Sequence, residues 1–230
     1  MSRMQILSAT EQEAFDTPPV FDFRERKRFF DLPKLLLDIA TDLRSPASQI
    51  GFLVMCAYFR AAKTFYNPRD FHAPDIEAAA KLPGLAGSEF SPAAYAKQTR
   101  ARHRNLVLDF YGFMPFGRKA RKDLIAEIAT MARTYLKPRL IFDRCVDYLI
   151  QRRVQVPRSG VLLELIRSGL QAQKVELIAL MNAHLTDDTR AFLDELFTTP
   201  DDQKRYRLTL LKKLSQPARP MKIKEAITDF

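Results

Sequence analysis

Cysteine is scarce in this sequence: there are two in 230 residues, Cys56 and Cys145, each in apolar surroundings. Neither has a partner at metal-ligand spacing. The sequence therefore argues against a disulfide framework and a zinc site, and fits a reducing cytosol. Histidine is also sparse. His72, His103 and His184 lie far apart and form no HxxxH pair, and His184 sits at a helix end, where the helix dipole favours a partial positive charge. The seven glycines build neither a phosphate-cradling loop nor a nucleophile elbow. The longest apolar run, Gly51 to Phe59, falls far short of the ~20 residues that a membrane span requires. The N-terminus carries no apolar segment of the kind a secretory signal needs. Acid pairs occur at Asp187-Asp188 and Asp201-Asp202, but both precede helices, where capping accounts for them. No convergent carboxylate set of the kind that two-metal phosphoryl transfer needs can be assembled. The expectation is a chain with no catalytic residue, no metal, no cofactor, no small-molecule substrate and no membrane partner.

Positive charge is present and is concentrated. Residues 97–122 read KQTRARHRNLVLDFYGFMPFGRKARK, with eight Lys/Arg against the single acid Asp109, a balance of +7. Residues 204–230 carry a further balance of +6, whereas residues 1–96 sum to −1 and 123–203 to −2. The net excess of +10 thus sits in two short stretches. Clustered charge of one sign is the footprint of a polyanion partner, most often nucleic acid.

Nearly every segment has helical periodicity, and no convincing strand series appears. The fold class expected is all-α, two packed helical bundles, with helix-turn-helix-like modules as one form they can take. Ser8-Ala-Thr-Glu11 and Asp22-Phe-Arg-Glu25 have the form of capping boxes. Ser45-Pro46 places an N-cap before a proline at the first helical position, and Ser91-Pro92 repeats that signal. The latter predicts a helix from 92 to Tyr111, with Gly112 as its stop. Further helices are predicted over about 118–136, from Pro138 to Arg153, from Ser159 through Met181, from Thr186 to Phe197, and from Pro200 to about Ser215. A seam near Gly112 to Gly117 gives the expected organisation: a first module over 1–114, a second over 115–215, and a linker over 216–230.

The basic stretches supply the candidate contacts. On a helical wheel for 92–111 at about 100° per residue, Lys97, Arg100 and Arg104 fall within roughly 60° of one another, opposite Tyr95, Leu106 and Phe110. Arg102 and His103 project nearer the apolar side, a position that suits packing as well as contact. Arg118, Lys119, Arg121 and Lys122 occupy the first turns of the next helix, where the macrodipole disfavours cations by about 0.3–1 kcal/mol each. A docked anion relieves that cost. Phe110, Tyr111, Phe113 and Phe116 interleave the charges, and core packing is their expected use ahead of base stacking. In the last stretch Lys204, Arg205 and Arg207 stand opposite a leucine-rich side.

Several segments in order resemble the large replicative transposases of the Tn-three class. They are Met4-Gln-Ile-Leu7, Gly51-Phe-Leu with Tyr58-Phe-Arg60, Gln98-Thr-Arg100 followed by His103, Tyr111-Gly112-Phe113 and Phe116, Arg152-Arg153-Val-Gln-Val-Pro157, and Leu185-Thr186 with Leu193. The resemblance covers about residues 3–215. It implies an all-helical N-terminal region that recognises a transposon's terminal inverted repeats, with the acidic catalytic triad in a later RNase-H-like domain beyond this chain. It implies DNA contact around Arg100, His103 and the Tyr111–Phe113 turn. The partners implied are double-stranded DNA at transposon ends and the remaining transposase domains, in a bacterial cytoplasm and at the nucleoid. The chain would then be an N-terminal fragment or a free-standing relative. Candidate recognition helices are 92–111 and 118–136; the helix over 46–65 has an apolar stripe that argues for core. Non-specific or RNA binding, and docking of an acidic partner protein, remain the alternatives.

Overall fold

The computed structural model describes residues 5–134 and 137–196, and several of its helices begin where the sequence places a local start signal. The first helices are α1 (Ala9–Asp16), α2 (Phe23–Phe30), α3 (Lys34–Thr41), α4 (Pro46–Ala62) and α5 (Ala73–Lys81). The others are α6 (Lys97–Tyr111), α7 (Arg118–Arg133), α8 (Pro138–Gln151), α9 (Ser159–His184) and α10 (Asp187–Leu196). Both capping boxes form: Ser8 and Glu11 close α1, and Asp22 and Glu25 close α2. The Ser45 side chain caps α4 and Pro46 takes its first position. Among the described residues there is no strand, only an isolated parallel bridge between Met114 and Val154. The fold is all-α.

The chain divides into two compact units, Met1–Gln173 and Lys174–Phe230. Inside the first unit the apolar side chains form two clusters. The first surrounds α4, which is buried from Ile50 through Phe59 and packs against α2, α3, α5 and α6. Burying such side chains fully stabilises the fold by about 1.5–3 kcal/mol each. The second cluster joins α7, α8 and the first half of α9 through Leu124, Ile128, Ile141, Leu149, Leu162 and Ile166, and takes in Ile6 and Leu7 from the N-terminal segment. Main-chain hydrogen bonds tie the turn after α6 to the segment after α8. Met114 donates to the Arg153 carbonyl at 2.7 Å, and Gln155 donates to the Met114 carbonyl at 2.8 Å. Val156 donates to the Lys63 carbonyl, at the end of α4, at 2.9 Å. In the second unit Arg190 reaches back from α10 to the Asn182 carbonyl at 2.9 Å.

One helix begins later than Ser91-Pro92 predicts. Residues 92–94 form a turn, and α6 starts at Lys97. The cause is Tyr95, which is completely buried and lies on Gly51 of α4. A methyl group at residue 51 would sit 2.6 Å from the tyrosine ring, so only glycine permits the contact. Packing thus overrides a local start signal that works at Ser45-Pro46.

Candidate nucleic-acid interface

The helix α6 carries Lys97, Arg100 and Arg104 along one side, at the edge of the first cluster beside Phe65 and Tyr66. Val107 and Leu108 are buried beneath it, and Leu106 and Phe110 pack against the same core. Lys97, Arg100 and Arg104 line one surface cavity of about 320 Å³, together with Phe65, Tyr66 and Arg158. Two neighbouring cavities share its walls. One of about 280 Å³ shares Asn67, Lys97 and Arg100 and adds Arg69. The other, of about 470 Å³, shares Ala101, Arg104 and Arg158 and extends to Pro115 and Phe116. The three adjoin one another at these shared residues and together make up a trough along α6. Among the described residues no Asp or Glu lines any of them.

Arginines crowd this trough. The Arg104 guanidinium lies 4.9 Å from the centre of the Phe65 ring, a cation–π contact. Burial lowers its pKa below the usual arginine value, and the neighbouring charges of Arg100 and Arg158 lower it further. The Arg100 Nε is buried and has no hydrogen-bond partner among the described residues. One acid lies nearby. Asp16 helps burial raise the Tyr66 hydroxyl to about 12, while Arg158 opposes it. The Asp16 carboxylate is already engaged, since its two oxygens accept from the Ser159 backbone N–H at 2.8 Å and the Ser159 hydroxyl at 2.7 Å. The trough is therefore a set of like charges held together without a carboxylate on its walls.

His103, which the sequence groups with these cations, is separated from them by the fold. It is fully buried, stacked edge-on against Phe52 at 5.3 Å, and its Nδ1 shares a 2.7 Å hydrogen bond with the Tyr95 hydroxyl. Burial, helped by the charge of Arg102, lowers its pKa to about 4, so the ring is neutral near pH 7. In this arrangement it holds the start of α6 onto α4 and has no surface to offer a ligand.

The second basic cluster stands in a different setting. Arg118, Lys119, Arg121 and Lys122 are all exposed in the first turns of α7, whose N-cap, Gly117, supplies no side-chain hydrogen bond. Arg118 and Lys119 border a cavity of about 450 Å³ with Met114, Tyr148, Arg152 and Asp123. Arg121 is engaged with Glu164 of α9 at 3.3 Å. The trough and this cavity meet at Pro115. Lys204, Arg205 and Arg207 lie outside the described residues.

Arg158 and Arg69 belong to the trough but were not found by the sequence reading. Each stands outside the charge runs, Arg158 between Pro157 and Ser159, and no local density marks it. They join Lys97, Arg100 and Arg104 through tertiary structure alone. No group of three or more His, Cys, Asp or Glu positioned for a metal ion exists among the described residues, and no described helix is long and apolar enough to cross a membrane.

Comparison with known proteins places this surface in context. The chain is similar to the protein named "Transposase for transposon Tn21" from Escherichia coli, with 22% identity over 222 residues. That alignment takes in 96% of this chain and 22% of the relative, so the chain spans about a fifth of the curated relative's length. Residues 6–169 match the family described as Domain of unknown function (DUF4158). Since that match takes in well over half of the sequence and both apolar clusters of the first unit, the chain belongs to the DUF4158 family.

Proposed function

We propose that this chain binds double-stranded DNA as the non-catalytic N-terminal part of a transposase and recognises the terminal inverted repeats of its transposon. The observation that carries the proposal is the trough along α6, where Lys97, Arg100, Arg104 and Arg158 converge with no carboxylate on the walls. Like charges held this close cost stability unless an anion meets them. The similarity to a transposase supplies the biological setting in which such an anion is DNA. The proposal assigns each apolar cluster of the first unit one basic helix: α6 on the first, α7 on the second. It assigns Lys204, Arg205 and Arg207 to further backbone contact. The rest of the transposase would supply catalysis, and the bacterial cytoplasm, at the nucleoid, is the setting that follows.

The test is nuclease footprinting and gel retardation on the end of the parent element, against a scrambled duplex of equal length, at two salt concentrations. The proposal expects a protected tract within the terminal repeat and a preference for the repeat that persists at both salts. Equal binding of both duplexes favours a non-specific nucleic-acid binder. If no duplex is retarded at about 50 mM salt, the reading of an acidic partner protein takes its place.

A further inference from the structure

We propose that the trough along α6 seats the phosphodiester backbone of a single DNA strand, and that α6 positions the protein on DNA without reading bases. This rests on the DNA-binding reading above and assigns that site its ligand group. A recognition helix must be convex, because its side chains have to cross a major groove about 8.5 Å deep to reach base edges. Three of the four cations of α6 line cavities instead, and Arg102 is exposed apart from them. Arg100, half-buried, and Arg104, exposed, line a concavity whose other lining residues include Phe65, Tyr66 and Arg158. Arg104 lies over the Phe65 ring at 4.9 Å, and the Arg100 Nε is buried. Side chains laid down in this way meet a ridge that enters from outside. The ridge on a DNA duplex is its phosphate backbone.

The length of the site agrees. The α6 residues that line the trough run from Lys97 to Leu108, about 16 Å at the helical rise of about 1.5 Å per residue. Phosphates are about 3.4 Å apart in projection on the duplex axis and farther apart along the strand itself, so the trough has room for fewer than about five. Its cations come from three separate parts of the chain: Arg69, the α6 residues, and Arg158 just before α9. Such a site recognises charge and strand shape, and contacts of this kind set register while carrying no sequence information.

The experiment uses the full chain with Arg104→Ala and Arg158→Ala, alone and combined, and with Arg104→Lys as a charge-retaining control. Thermal melts first establish that each variant folds; Arg158→Ala covers the case in which loss of the Phe65 contact unfolds Arg104→Ala. Each protein is titrated against the repeat duplex, the scrambled duplex and a thymidylate 16-mer over a range of salt. The expected result is the same fold-loss on both duplexes and on the single strand, with the salt slope shallower by about one unit per arginine removed. Arg104→Lys should retain the slope. A loss confined to the repeat duplex, an unchanged slope in folded variants, or no binding of the 16-mer would overturn the inference. The two ideas fail separately. Equal wild-type affinity for repeat and scrambled duplexes sinks the terminal-repeat reading while the slopes still decide the trough. A sequence preference that survives with unchanged slopes sinks the trough and spares the reading.

Discussion

The two apolar clusters of the first unit carry similar amounts of basic sequence but differ in what lies inside them. The cluster around α4 is aromatic and encloses polar groups. Asp75 is fully buried there, with one carboxylate oxygen accepting from the Arg26 Nε at 2.7 Å and the other from the Tyr58 hydroxyl at 2.8 Å. Burial, ahead of the adjacent Asp75, raises the Tyr58 hydroxyl pKa far above the usual range and keeps it a donor. Tyr95 and His103 form a second buried polar pair in the same cluster. The cluster of α7, α8 and α9 is mostly aliphatic. Polar groups inside a core cost stability unless they are satisfied in one geometry, so they fix neighbours more narrowly than aliphatic contacts do. The first cluster has the means to hold α6 and its trough in one position. The second presents α7 with looser chemical constraint.

Four measurements break or sharpen this contrast. The largest expected effect is on stability. Asp75→Ala leaves Arg26 and the Tyr58 hydroxyl without their acceptor and should cost about 3 kcal/mol in denaturant unfolding, while affinity per folded molecule is retained. A cost under about 1 kcal/mol would show that the polar network does not fix the first cluster.

The next effect depends on pH. His103 titrates near 4 when folded, against about 6.5 in an unfolded chain. Between those values the unfolded state binds the extra proton, so stability is complete above about pH 6.5 and falls as pH drops toward 4. The whole shift corresponds to roughly 3 kcal/mol at most. Wild type should therefore lose more stability than His103→Gln between pH 7 and pH 5 when both are followed by chemical unfolding. Parallel losses would mean that carboxylates alone set the pH dependence.

Third, Gly51→Ala pushes a methyl group into the buried Tyr95 ring and should cost about 1–3 kcal/mol as an overpacked contact. Its melting temperature should fall below that of Cys145→Ala, which removes only a small buried thiol from the second cluster. The reverse order would contradict the assignment of tighter constraint to the first cluster. The fourth effect, of similar size, is on DNA. With α6 positioning, the exposed first turn of α7 is left to read bases, so Arg118→Ala should reduce the preference for the repeat duplex over a scrambled one by about 1–3 kcal/mol without unfolding the protein. An unaltered preference removes that side chain from base readout.

Much of the helical framework was legible in the residues. The capping boxes at Ser8 and Asp22, the Ser45-Pro46 start and the Gly112 stop each act through neighbours three or four positions away, and all of them form. Ser91-Pro92 shows where this ends. The same dipeptide yields a turn because Tyr95 gains more by filling the space over Gly51 than a helix gains by starting early. The wheel over 97–104 correctly put Lys97, Arg100 and Arg104 on one side, since three cations on one helix share a face whatever packs behind it. His103 was legible as near the core, but its enclosure by Phe52 and Tyr95 is a tertiary fact. Arg158 left no trace in the charge pattern, because the cations it joins, Lys97, Arg100 and Arg104, lie more than fifty residues away in the chain.

The rungs that join Met114 to Arg153 and Gln155, and Lys63 to Val156, are made by peptide groups. Arg158 follows two residues after the last of them. The distance of the Arg158 backbone from α6 is consequently gauged by main chain, like the jaws of a calliper locked at the hinge. Val154 and Val156 pack in the second cluster and the Arg153 side chain donates to the Tyr111 carbonyl, so a single inserted residue there would disturb the rungs and this packing together.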